Sequence, residues 1–312
     1  MPSLTTCVAQ VALVAAMSIF AVVDALAQPT PISAADINTA SITDYIVAAA
    51  FSPAVVQVAS ADSLTPEPVF ANSAIARLQI LLDRAGASPG VIDGFAGDNL
   101  DKALLAFQMM NGLPADGKLS LLVAARLDTP GEAIGVYTIT ADDVAAVGGP
   151  IPADYAEKAA MDYLGYESVA ELLAERFHMD VALLEALNPS SGFAVGEVVN
   201  VALTGTNRKG AVTWIEADKT LRQVRVYGNN GVLLAAYPAT IGSEDNPSPT
   251  GTYVVESATT MPGYTYNPKI NFQQGENTDV LTIPPVRMAL WDRFGSPSPS
   301  HRSASMAPPS PQ

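Results

Sequence analysis

Leu221-Arg222-Gln223-Val224-Arg225-Val226-Tyr227-Gly228-Asn229-Asn230-Gly231-Val232-Leu233-Leu234-Ala235-Ala236-Tyr237 decides how the C-terminal part of the chain folds. From Leu221 to Tyr227 apolar and polar residues alternate, which is the period of a half-buried strand. Asn229-Asn230-Gly231 supplies residues that tolerate positive φ and so reads as a hairpin turn. Val232 to Tyr237 then makes the return strand. Upstream, Val212 and Trp214 begin the same pattern, and downstream Pro249-Thr250-Gly251 turns into a strand at Thr252–Glu256. Residues 211–285 therefore read as an antiparallel β domain.

N-terminal to this domain the period changes from two to 3.6. Val169, Leu172, Leu173 and Phe177 form one helix face behind Ser168 and Glu171, an S-x-x-E capping box. Asp180 caps a second helix with Val181, Leu184 and Leu187 inward, Asn188-Pro189 ends it, and Val195–Val201 closes with a strand. Residues 166–204 are thus a small α/β module, with His178 at its inter-helix turn, read as a surface or capping residue. A first strand for this module is either supplied by Tyr137–Thr140 or lost. Residues 129–165 otherwise read as a connector without chemistry.

Further upstream, residues 73–128 predict a three-helix bundle. Ser73 is the expected N-cap of a helix carrying Ile75, Leu78, Leu82 and Ala85, which Gly86 stops. A tight loop, Ser88 to Gly97, leads to a helix from Asp98 or Asn99 that buries Leu100, Ala103, Leu104 and Phe107. Asn111-Gly112-Leu113-Pro114 ends that helix, and Ser120–Leu127 makes the third. Residues 28–72 lack any basic residue and read as a linker with one weak helix near Ile42–Phe51. Residues 1–27 read as a signal peptide. Val8–Val23 is apolar apart from Gln10 and Ser18, and Ala25-Leu26-Ala27 gives an A-x-A cleavage site. No Lys or Arg precedes Arg77, which is atypical of a signal; a start codon further upstream, or an apolar leader, are the alternatives.

The formal net charge of −15 argues against nucleic acid as a partner. The apolar run is shorter than the ~20 residues of a spanning helix, so no stable membrane insertion is expected after cleavage. The sole cysteine, Cys7, lies in the predicted signal. A mature chain would hold no disulfide and no thiolate, and no cofactor or metal site is expected.

Three blocks of residues resemble known families. Leu78-Gln79, Pro89–Gly97, Phe107-Gln108, Gly112-Leu113 and Asp116-Gly117 resemble the peptidoglycan-binding type 1 domain. Helix, helix, Asn188-Pro189 and Gly196 to Val201 resemble the LysM glycan-binding module. Ile215–Lys219, Leu221, Val226-Tyr227, Tyr237–Ser243, Pro249–Tyr253 and Tyr264–Pro268 resemble the first half of an L,D-transpeptidase catalytic domain. Together these imply a multidomain α+β chain: a three-helix bundle, a LysM-like module and an incomplete, β-sandwich-like antiparallel transpeptidase domain. The implied partner is peptidoglycan, its glycan strands and peptide stems, in the periplasm or cell envelope. The implied activity is a transferase reaction of cell-wall biogenesis. In it a cysteine thiolate paired with histidine attacks the bond between meso-diaminopimelate and D-Ala, and an amine resolves the acyl-enzyme. Residues 73–128 are expected to fold alone and bind insoluble peptidoglycan.

The resemblance stops after Ile283-Pro284-Pro285. The family's His-Gly-Thr and Ser-His-Gly-Cys-x-Arg motifs are absent, and residues 286–312 are Ser/Pro-rich with Arg287, Arg293 and Arg302 against Asp292 alone. Such a tail is expected to be disordered. A frameshift accounts for it, family divergence being the alternative. Ser300-His301-Arg302 echoes the missing motif but lacks a base and oxyanion hole in fixed geometry, and Thr250 and Tyr253 read as scaffold. No catalytic residue is therefore assigned. The chain is expected to be inactive, either as a wall-binding protein or as a non-functional product.

Overall fold

The structure, a computed structural model, describes residues 32–51, 71–206, 209–244, 247–256, 262–269 and 274–285, and the backbone of 306–307. The predicted signal peptide, Cys7 and Ser300–Arg302 lie outside the described residues.

Helices α1 (Ala34–Thr39) and α2 (Ile42–Phe51) precede the predicted bundle of α3 (Ser73–Arg84), α4 (Asp98–Met110) and α5 (Leu121–Leu127). Helix α2 forms where a weak helix is expected. The stretch around it is nevertheless more than a linker. Ile37 of α1 and Ile42 of α2 are buried, and the Asn38 side chain accepts from Ala133 N and Ile134 N and donates to Ile134 O. The cap of α3 is Asn72, not Ser73: its Oδ1 accepts from the N–H groups of Ala74 and Ile75, which an N-terminal turn otherwise leaves unpaired.

The small module begins earlier than the sequence suggests. β1 (Ile134–Thr138) pairs antiparallel with β2 (Val198–Ala202), from Ile134 opposite Ala202 to Thr138 opposite Val198. Of the two readings for the first strand, the structure takes the supplied one. Between the strands run α6 (Ala141–Ala145), α7 (Tyr155–Ala159), α8 (Val169–Arg176) and α9 (Val181–Ala186). Ser168 caps α8 through Glu171 N, but the Glu171 carboxylate accepts from Glu167 N, so the reciprocal half of the expected capping box falls one residue early.

Strands β3 (Trp214–Asp218), β4 (Gln223–Tyr227) and β5 (Leu233–Pro238) form an antiparallel sheet in chain order. β4 starts at Gln223 because Arg222 takes φ 50°, outside the strand region. The turn before β5 is a short 3-10 segment, Asn229–Gly231, with Asn230 at φ 59°. β6 (Val254–Val255) pairs with β9 (Met306–Ala307), and β7 (Tyr264–Tyr266) pairs with β8 (Leu281–Ile283). β9 departs from the expectation of a tail wholly without strands. The described sheets are all antiparallel and none closes into a barrel.

Three apolar cores hold these pieces together, and none respects the sequence-derived boundaries. One joins α2 through Ile42, the three-helix bundle, and Leu233 and Ala236 of β5. A second joins the β1–β2 module to Ile37, Ala76, Ile80 and Ile92. The third places Leu164, Ile151, Tyr155 and Met161, all from the expected connector, against Tyr266 and Ile283 of β7 and β8. The connector is thus a packing element of the β domain. Its tyrosine ring at 155 lies 4.9 Å from that of Tyr266.

Candidate functional site

Two loops of the helical bundle are built by the same device. Gln79 of α3 is buried, and its Oε1 accepts from Asp93 N at 3.1 Å and Gly94 N at 2.8 Å. Its Nε2 donates to Asp93 Oδ1 and to Phe95 O. Gln108 of α4, also buried, repeats the pattern: its Oε1 accepts from Gly117 N, and its Nε2 donates to Asp116 Oδ1 and Lys118 O. In each case a side-chain amide replaces the strand partner that the loop backbone lacks. Each loop needs glycine at the clasped position, because Gly94 and Gly117 have φ of 79° and 70°. The Asp116 carboxyl is held below the usual range by the Lys118 N–H, then by Gln108.

The first of these loops forms one wall of a cleft of about 1130 Å³. Pro89, Gly90, Val91, Asp93, Phe95 and the start of α4 through Lys102 line that side. The other wall is the β domain: Arg222, then Pro238 to Glu244 after β5. Val91, Phe95 and Ile241 are exposed apolar groups on it. The walls are fixed to each other. Ser88 N donates to Ala236 O and Ala236 N to Gly86 O, a strand-like bridge between bundle loop and β5. Gln223 Nε2 donates to Lys102 O. Gly90 comes so close to Pro238 that a Cβ there would sit 3.1 Å from its Cγ.

A second polar centre lies buried in the β1–β2 module. Asp143 Oδ2 accepts from Tyr137 Oη, Thr140 N and Thr140 Oγ1, each at 2.8 Å, while Oδ1 meets Arg176 Nη1 at 2.6 Å. Burial pushes the Asp143 carboxyl up, but these donors outweigh it and leave the group below its ordinary range. Both carboxylate oxygens are engaged in holding the fold, so this centre is a fastener and not a reactive pair.

The residues singled out in the sequence fall in separate places. His178 takes φ 57° and sets Nδ1 2.9 Å from Asp83 Oδ2 of α3. It joins two modules, a role its sequence context gives no sign of. Thr250 accepts a hydrogen bond from Lys219 Nζ, and Tyr253 Oη donates to Thr250 O, so both stabilise the turn between β5 and β6. Among the described residues no group of three or more His, Cys, Asp or Glu side chains could hold a metal ion. What the sequence does not reveal is the second wall of the cleft. Arg222 and Thr240–Glu244 are more than 100 positions from the bundle loop, and no local pattern signals that pairing.

Comparison with known families agrees with this architecture. Residues 71–127 match the model of a peptidoglycan binding domain, and residues 212–295 match that of the L,D-transpeptidase catalytic domain. The second match continues past Pro285, the point at which the motif pattern stops in the sequence. No curated protein matches the chain. The clasped loops lie inside the first match and the β3–β5 sheet inside the second, and the two matches support an L,D-transpeptidase family member with a peptidoglycan-binding domain.

Proposed function

We propose that this chain is exported to the cell envelope, binds peptidoglycan, and performs no acyl transfer. The peptidoglycan-binding match over the clasped loops carries the binding half of this reading. The missing thiol carries the other half: Cys7 is the only cysteine, and it lies in the predicted signal. Neither histidine can substitute, since His178 is engaged by Asp83 in another module and His301 belongs to the Ser/Pro-rich tail. Covalent acyl transfer without its nucleophile typically loses several orders of magnitude in rate. The antiparallel pairing of β1 with β2 around the helices supports a LysM-like role for the second module. The A-x-A site after a short apolar run supports export, with cleavage after Ala27; among the described residues no helix is long and apolar enough to cross a membrane.

The test has two arms. Exported protein incubated with purified sacculi should sediment with them, and its intact mass should stay unchanged after exposure to a carbapenem, which acylates the family's cysteine. Protein that remains in the supernatant removes the binding reading. A stoichiometric carbapenem adduct, or cross-linked muropeptides above a no-enzyme control, removes the inactive one.

Exposed strand edges favour a second reading, that of a product which the cell degrades. Val254 and Val255 of β6 and Trp214 and Ile215 of β3 are at least half exposed, an aggregation hazard at sheet edges. Rapid loss of the protein in a pulse-chase, without any accumulation in the envelope, would favour it.

A further inference from the structure

Helices α3 and α8 end in the same turn but with different residues. After α3, Gly86 N donates to Asp83 O and Ala87 N to Leu82 O; after α8, His178 N donates to Glu175 O and Met179 N to Ala174 O. Each turn needs one left-handed residue, Gly86 at φ 81° and His178 at φ 57°. Glycine takes that conformation without strain, and α3 uses it, whereas α8 spends a histidine there. The histidine faces the end of α3. Its Nδ1 lies 2.9 Å from Asp83 Oδ2, and the Asp83 side chain is only 6% exposed. Glu175, three residues earlier on α8, is half-buried, and its Oε1 is enclosed with no hydrogen-bond partner among the described residues. One imidazole thus serves two sequestered acids, Asp83 by contact and Glu175 through its field.

This cluster sits on the joint between the bundle and the β1–β2 module. Ile92 N donates to His178 O and Asp180 N to Ile92 O, a bridge on either side of Met179. Arg84, next to Asp83, donates to Leu203 O and Glu132 O just beyond the ends of β2 and β1. The other charged groups on the elements packed here are engaged elsewhere: Glu171 by Glu167 N, Arg176 by Asp143, Asp180 by Ala182 N and Asp93 by Gln79. We propose that the joint is proton-operated: proton uptake by the His178–Asp83–Glu175 cluster tightens the bundle against the β1–β2 module, and proton release leaves the apolar core and the Ile92 bridge to hold them. A charged imidazolium attracts both acids, whereas a neutral ring offers Asp83 one N–H and Glu175 no charge. Protonation of Glu175 removes a charge that has no partner. Its carboxyl is already pushed up by burial, then by Glu171, against the opposite pull of His178. A carboxyl raised in the fold stabilises fully below its ordinary value and loses that contribution as pH rises through the folded one. Both groups therefore act in one direction, and the joint is tightest in mild acid. At lower pH the Asp143 fastener of the same module lets go, since its carboxyl is held below the ordinary range. The tight form occupies a window bounded above by titration of the cluster and below by that of Asp143. Within it the two modules are carried as one rigid body, whether or not either of them binds the wall.

Hydrogen exchange of the full chain from about pH 8 down to about pH 5, the range in which an imidazole ordinarily changes charge, tests this once rates are corrected for intrinsic exchange. The bridging amides of Ile92 and Asp180 should gain about threefold protection or more toward the acid end, while those of the β3–β5 sheet stay unchanged. His178→Asn removes the titrating ring, keeps a residue that tolerates the left-handed backbone, and should abolish the gain. His178→Gly, which relieves the strained turn, should do the same. Glu175→Gln should remove part of it. Equal protection of the bridge across the range, or a gain that survives undiminished in either His178 variant or in Glu175→Gln, overturns the proposal. So does an equal gain in the β3–β5 sheet, because pH would then act on the whole molecule and not at the joint.

Discussion

At the scale of single residues, two glutamines have roles that their sequence context only partly announces. Gln79 and Gln108 stand out in the sequence as members of Leu78-Gln79 and Phe107-Gln108, and Asp93-Gly94 and Asp116-Gly117 as turns. That each glutamine clasps one of those turns follows from the structure. Replacing Gln79 by Ala leaves the buried Gly94 N–H and its neighbour Asp93 N–H without partners. An unsatisfied buried donor costs about 1–3 kcal/mol, so Gln79→Ala should destabilise the protein by roughly 2 kcal/mol or more. Urea unfolding measures this, and a shift under about 0.5 kcal/mol, the size of a neutral surface change, would show that the clasp is dispensable. Gly94→Ala should be worse. Its Cβ would meet the Ala71 Cβ at 2.8 Å, and the left-handed backbone adds about 1–2 kcal/mol. Residues like these are legible because a glycine turn and a paired amide are local. The roles of Asn72, Asn38 and His178 are not legible, because their partners are set by how the chain folds around them.

At the scale of elements, periodicity locates helices and strands well but does not show how many faces each one buries. The sequence gives helix α3 a single stripe of Ile75, Leu78, Leu82 and Ala85. Every residue from Ile75 to Leu82 is buried, because Ala76 and Ile80 face a second core. Arg77 survives within this run by donating to Asn38 O and Asp128 Oδ1. β1 is legible only as one of two options, since its partner β2 lies some 60 residues away with four helices between. The fastener at the end of β1 makes this element pH-sensitive in a defined direction. The folded Asp143 carboxyl lies below the ordinary carboxylate value of about 3.9. Its stabilising contribution is therefore complete above the unfolded pKa and is lost as pH falls through the folded one. Asp143→Asn removes the charge facing Arg176 and should cost roughly 3 kcal/mol at neutral pH, as breaking a buried pair does. It should also flatten the acid limb of the stability curve. If wild type and variant unfold at the same acid midpoint with the same slope, the pair does not govern the module's acid stability.

At the scale of the whole molecule, the sequence divides into domains that the packing does not respect. A bundle at 73–128 is expected from the sequence to fold alone, because its three helices and turns form a coherent local pattern. Its core, however, includes Ile42 from α2 and Leu233 and Ala236 from β5. Its α3 also gives Ala76 and Ile80 to the neighbouring module's core. Burying a large aliphatic side chain is worth about 1.5–3 kcal/mol, so exposing Leu78, Leu81 and Ile80 while losing Ile42 and Leu233 removes several such contributions. A domain's entire stability is only about 5–15 kcal/mol. The fragment 73–128 should therefore lack a cooperative unfolding transition, whereas a fragment of residues 32–285 should show one. Denaturant titration followed by far-ultraviolet circular dichroism compares them directly. The control is Leu233→Ala in the longer fragment: it should lower stability by about 2–5 kcal/mol through the cavity it leaves in the bundle's core, although residue 233 belongs to the other family domain. A fragment 73–128 that unfolds at the same denaturant concentration as the longer one, with Leu233→Ala neutral, would mean that the bundle owes nothing to its neighbours. The fixed walls described for the cleft would then lose their physical basis, because they rest on the same seam between β5 and the bundle.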